Sequence, residues 1–108
     1  MDKATVINRV RAYSEIVRKH FPVKAVILFG SHAQGTARPE SDIDVAVIVE
    51  RIEQDFLESA AKLCYLRNDL DENIEPHLFE AGHDPSGFLA EILRTGEVIW
   101  EAGEGKTD

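Results

Sequence analysis

The tightest constraint on the fold of this chain lies in two apolar runs separated by one short polar segment. The first reads Ala25-Val26-Ile27-Leu28-Phe29 and ends on Gly30-Ser31. The second, Val45-Ala46-Val47-Ile48-Val49, is headed by Ser41-Asp42-Ile43-Asp44. The 24–29 run predicts a buried strand. The 42–49 run, apolar on both faces after Asp44, predicts a strand at the centre of a sheet. The segment between them carries Gly35 and Pro39, which allows one short helical turn and then loop. So compact a connection makes the two strands antiparallel neighbours. Gly30-Ser31 at the end of one then lies beside Asp42 and Asp44 at the start of the other.

That juxtaposition carries chemistry. A Gly-Ser pair after a strand offers backbone N–H groups and a hydroxyl to a phosphate, and a following helical turn adds its positive end. Two aspartates at i and i+2 on a strand share a face, as required to share a hard divalent cation. A phosphate cradle beside a carboxylate pair points to metal-assisted chemistry on a nucleoside triphosphate. A P-loop NTPase is excluded, because no Gly-Lys-Ser/Thr follows the first strand.

The remaining periodicities surround this unit with helices. Val6, Val10, Tyr13 and Val17 form the stripe of an amphipathic helix that runs out before Pro22. Phe56, Ala60, Leu63 and Cys64 mark a second helix over roughly residues 52–68, with Cys64 expected in the core. Residues 73–79 alternate Ile74, Pro76 and Leu78 against Glu75, His77 and Phe79, a third strand whose proline suits a sheet edge. Asp84-Pro85 reads as an N-cap followed by proline at the first helical position, with Phe88, Leu89, Ile92 and Leu93 as the apolar face and Gly96 as the stop. Residues 97–100 add a short strand, and 102–108 are expected to form a disordered tail after a single domain over 1–101.

Because a helix joins the second and third strands, they should run parallel, with Glu75 level with Asp44 and one strand spacing of ~4.8 Å away. Asp42, Asp44 and Glu75 then form the expected catalytic and metal-binding set, around two Mg²⁺ ions ~3.5–4 Å apart. In that scheme the two aspartates bind both ions. Glu75 completes the site of the ion that activates the nucleophile and helps accept its proton. Gly30, Ser31, Arg38 and Ser41 make up the expected nucleotide-binding set, with the β- and γ-phosphates on Gly30 and Ser31. His77 shares the face of Glu75, but a lone histidine is more often a surface residue than a ligand. Tyr13, Phe79 and Trp100 are expected to pack, and His20 and His83 to be structural or exposed.

Composition narrows the class. The chain has 108 residues, 44% of them apolar, enough for one domain with one core. Its net charge of −8 argues against polymeric nucleic acid as a direct partner but not against a single nucleotide. The N-terminus has no apolar signal segment, the apolar runs are only strand length, and the single cysteine permits no internal disulfide. The expectation is a cytoplasmic domain with no membrane partner.

The stretch from Phe29-Gly30-Ser31 to Ser41-Asp42-Ile43-Asp44 resembles the signature of the DNA polymerase beta-like nucleotidyltransferases, and in its small size the minimal nucleotidyltransferase (MNT) branch. The resemblance is strongest over residues 24–49 and extends in element order to about residue 100. It implies an α+β fold, with a short mixed sheet backed by helices. It further implies transfer of a nucleoside monophosphate, AMP from ATP, onto a hydroxyl. Stand-alone members of this branch pair with a helical HEPN protein as antitoxin and toxin, and the acceptor is then a hydroxyl of that partner. Two positions depart from the branch: His32 stands where arginine is common, and Glu75 where aspartate is commoner. The alternative class is a protein-binding module that neutralises a helical partner by sequestration. A third, an enzyme acting on small molecules such as aminoglycosides, generally needs a further acceptor-binding domain.

Overall fold

The computed structural model describes residues 2–103; of the expected tail, 104–108 lie outside the described residues. Helix α1 (Lys3–Arg18) starts where the Asp2 carboxylate accepts a hydrogen bond from the Thr5 N–H at 2.9 Å. Its predicted stripe, Val6, Val10, Tyr13 and Val17, is fully buried. Strand β1 (Val23–Phe29) follows, then a four-residue helical turn α2 (Ser31–Gln34), strand β2 (Ile43–Val49), helix α3 (Phe56–Leu66), strand β3 (Ile74–Glu80), helix α4 (Phe88–Thr95) and strand β4 (Glu97–Glu101). Among the described residues no helix is long and apolar enough to cross a membrane.

The four strands form one mixed sheet in the order β3-β2-β1-β4. β1 pairs antiparallel with β2 and with β4, while β2 and β3 run parallel, as a helical crossover requires. The proline-bearing β3 is an edge, where the missing N–H at Pro76 costs no ladder bond on its outer side. This is the α+β architecture expected from the sequence.

The two central strands are covered on both faces. On one, Val26, Leu28, Val45 and Val47 pack with α1 and with Leu63 of α3; on the other, Ala25, Ile27, Ala46 and Ile48 pack with Leu89 and Ile92 of α4. Polar ties fasten α1 to α3 and to the segment leading into β3. The buried Tyr13 hydroxyl donates to the Leu63 carbonyl at 2.7 Å, and Arg9 pairs with the buried Asp71 at 2.8 Å. Asp71 in turn accepts from the Asn73 N–H, setting the entry to β3.

Two helix expectations are corrected. The buried residues of α3 are Ser59 and Leu63, whereas Phe56 is half exposed and Cys64 is exposed. The helix lies over the sheet edge at β3, so it buries a narrow stripe rotated one position from the most apolar one. The last helix begins at Phe88, with Gly87 as its N-cap at φ 80°, and not at Pro85. Asp84 still caps it from a distance, its carboxylate accepting from the N–H groups of Leu89 at 3.0 Å and Ala90 at 2.9 Å. Gly96 does end this helix, where the backbone turns extended, and the position needs glycine: a Cβ there would lie 2.7 Å from Ile27 Cγ2 and 2.7 Å from the Ile92 carbonyl oxygen.

Burial pushes the Tyr13 phenol well above its ordinary value, so the group stays protonated in the fold. Tyr13→Phe should lower the unfolding free energy by about 1–3 kcal/mol, since it strands a buried carbonyl. That stabilisation is complete below the unfolded phenol value of about 10 and is lost as pH rises through the folded one. Urea unfolding of both proteins from pH 7 to 11 checks it: the gap should narrow at the alkaline end.

Candidate active site

The antiparallel ladder sets Phe29, the last residue of β1, opposite Asp44. The next residue, Gly30, has φ 78° and ψ −155°, a conformation open essentially to glycine alone. Asp44 Oδ2 occupies the space a Cβ on Gly30 would need. Glycine is thus required twice here, by its dihedral angles and by the carboxylate pressed against it. From Gly30 the chain enters α2, whose Ala33 and Gln34 N–H groups donate to the Gly30 carbonyl at 3.1 and 3.0 Å. Gly35, at φ 81°, closes the turn.

The parallel ladder sets Asp44 beside Glu75, and two residues further along β3 His77 lies beside Ala46. With a strand period of two, Asp44, Glu75 and His77 share one sheet face. One ligand atom from each lies within 4.8 Å of the other two. His77 Nε2 is 3.5 Å from Asp44 Oδ1, too far for a good hydrogen bond, and it is buried with no hydrogen-bond partner among the described residues. Two carboxylates held this close repel each other, and an imidazole nitrogen without a partner turned toward them makes a donor set suited to a cation. Asp44, Glu75 and His77 therefore fit a divalent metal. Beside them, His77 meets Phe29 edge-to-face at 5.1 Å, and Phe88 meets both Phe29 and Phe79 at 5.9 Å.

The other predicted site residues lie on the α2 turn and on the loop leading into β2. Asp42 is exposed on the loop one residue ahead of β2 and is not among the three that converge. Ser31 opens α2, half-buried, immediately after Gly30. Arg38 is exposed; its N–H donates to Ser41 Oγ at 2.8 Å, and the Ser41 N–H donates to the Arg38 carbonyl at 3.0 Å. Both belong to one tight turn, so the Ser41 hydroxyl has a structural task of its own. His32 Nε2 lies 3.3 Å from the Ser41 carbonyl and ties α2 to that turn. His77 is the residue whose part in the site is weakest in the sequence. Its only signal there is a position two residues after Glu75, on the same face.

The profile of the family described as Polymerase beta, Nucleotidyltransferase matches residues 12–104. No functionally curated protein matches the sequence. Among solved structures the chain is similar to a candidate nucleotidyltransferase from Sulfolobus solfataricus, at 19% identity and TM-score 0.69, covering 95% of this chain and 86% of that one. It is also similar to a chain of a toxin–antitoxin complex with AMP-PNP, at 24% identity and TM-score 0.59, covering 91% and 75%. A third is from Shewanella oneidensis, a tri-AMPylated HEPN toxin in complex with its MNT antitoxin, at 18% identity and TM-score 0.53, covering 96% and 76%.

Gly30→Ala should cost about 3 kcal/mol or more, because a Gly-only conformation and the contact with Asp44 are both violated. Gly35→Ala, whose Cβ meets nothing within 4 Å, should cost only the left-handed penalty of about 1–2 kcal/mol. Paired denaturant titrations would show the difference, and equal losses would mean that Asp44 does not press on Gly30.

Proposed function

This chain belongs to the polymerase beta nucleotidyltransferase family, whose profile spans most of its length, and on that premise we propose that it is a metal-dependent nucleotidyltransferase. It moves AMP from ATP onto a hydroxyl of a helical HEPN-type partner, as the antitoxin of an MNT–HEPN pair. The observation that carries this reading is the convergence of Asp44 and Glu75 from two parallel strands, with the Asp44 carboxylate beside Gly30. The similarity to toxin–antitoxin structures supports the partner and the adenine nucleotide. So do the exposed apolar side chains of α3, Leu57 and Tyr65, which are 73% and 71% exposed, in the case of the partner.

Asp44 and Glu75, with His77 beside them and Asp42 brought in from its loop, would hold the Mg²⁺. Such a cation, when bound, neutralises the triphosphate and polarises the phosphoryl oxygens. Gly30 and Ser31 offer N–H groups and a hydroxyl to the β- and γ-phosphates, and Arg38 and Ser41 would complete the nucleotide site from the loop before β2. The partner hydroxyl attacks the α-phosphorus, Glu75 takes its proton, and the bond to the bridging oxygen breaks to release pyrophosphate. Orientation of the hydroxyl in line with that bond comes from the partner surface. The acidic balance of the chain, −8, suits a basic partner face and faster association at low salt. The second reading, sequestration without transfer, is favoured by His32, which stands where arginine is common in this branch.

Asp44→Asn and Asp42→Asn should each lower transfer at least about 100-fold, since the metal's contribution is several kcal/mol. Melting without metal should hold or rise slightly as carboxylate repulsion is relieved. Glu75→Gln should impair transfer more than triphosphate binding. Near wild-type transfer by the Asp44 variant would remove the assignment.

Co-expression with a HEPN-type partner, followed by size-exclusion chromatography and intact mass, tests the working unit. A stable complex with an adenylate-sized increment on the partner supports the transferase. A complex with no increment supports sequestration, and transfer to a small-molecule hydroxyl without any complex overturns both.

A further inference from the structure

We propose that His77 is a direct nitrogen ligand of the cation held by Asp44 and Glu75, giving this centre a mixed nitrogen–oxygen donor set that favours Mn²⁺ over Mg²⁺. The inference rests on the metal-dependent reading above and adds to it a ligand of a different chemical kind. Three observations carry it. The strand period sends His77 to the same face as Glu75, and the parallel register brings both to Asp44. The His77 side chain is 32% exposed, yet its Nε2 atom is itself buried and has no hydrogen-bond partner among the described residues, an arrangement proteins seldom leave uncompensated. Its 3.5 Å separation from Asp44 Oδ1 is long for a hydrogen bond. It suits two donors on one ion, since ligand atoms ~2.1 Å from a shared cation lie about 3–4 Å apart.

The surroundings fix the imidazole for that task. Phe29 packs edge-to-face against it at 5.1 Å, which limits its rotation and walls off one side of the ring. The Asp44 carboxylate lies in the space that a side chain on Gly30 would fill. Imidazole nitrogen binds first-row transition dications more strongly than Mg²⁺, which prefers oxygen donors and retains its water. A centre of carboxylates alone has a weaker bias. Replacing one donor by imidazole therefore shifts the choice of metal without changing the fold around it.

The test is Mn²⁺ binding to the full chain without nucleotide, followed by electron paramagnetic resonance, with pulsed detection of coupled ¹⁴N. Wild type should bind Mn²⁺ saturably and show one directly coordinated nitrogen. His77→Gln should lose that coupling and bind Mn²⁺ about tenfold more weakly, with a smaller change in Mg²⁺ competition. His32→Gln should keep the coupling, and thermal melting confirms that each variant is folded. Saturable binding with no coupled nitrogen, or coupling that survives in His77→Gln, overturns the His77 assignment and leaves the transferase reading standing. No saturable Mn²⁺ or Mg²⁺ binding to wild type overturns both.

Discussion

The pairing of β1 with β2 is the constraint on which the rest of this structure depends. It joins the two most apolar segments of the chain, and its register ends with Phe29 opposite Asp44. A slip of one residue would turn the alternation of β2 over, sending Asp44 toward the side occupied by Val45 and Val47. An unpaired carboxylate among those side chains carries a large desolvation penalty, so the register is held by the charge as well as by the apolar pattern. Gly30 is the local counterpart of this constraint. Only a residue without a side chain leaves room for the carboxylate that the ladder delivers.

The two sheet faces are used differently. One is closed by α1 and α3, with Tyr13 and Asp71 as buried polar ties between the first helix and the stretch from α3 to β3. The other is covered by the short helix α4 over Ala25, Ile27, Ala46 and Ile48. Asp44, Glu75 and His77 lie on that second face, toward the start of the parallel pair, where Phe29 packs against His77 and Phe88 against Phe29 and Phe79. Rigid strands thus carry repelling groups while the core bears the cost of holding them together. The acidic cluster needs no stability of its own.

Much of this architecture is legible from residue order. The apolar stripe of α1, the edge position of β3, the parallel crossover and the level placement of Asp44 and Glu75 follow from periodicity and connection length. Where the structure departs from those expectations, the cause is packing. Phe56 and Cys64 are as apolar as Leu63, and nothing local says which stripe of α3 will meet the sheet. The helix's placement over an edge strand decides it. Asp84-Pro85 is a strong local start signal, yet Gly87 redirects the chain and the helix begins at Phe88.

The sequence by itself determined the strands, their order of hydrophobicity and the presence of Gly30, Asp42, Asp44 and Glu75 at the mouths of those strands, because these depend on local period and on short connections. Only the tertiary structure decided which polar groups actually meet. It brought His77 to 3.5 Å from Asp44 and gave Asp42 an exposed position on the loop ahead of β2. The physical reason is that side-chain convergence depends on the register between strands distant in sequence and on atomic-scale burial. His77 Nε2 has no hydrogen-bond partner among the described residues, with Asp44 Oδ1 3.5 Å away and Phe29 packed against its ring.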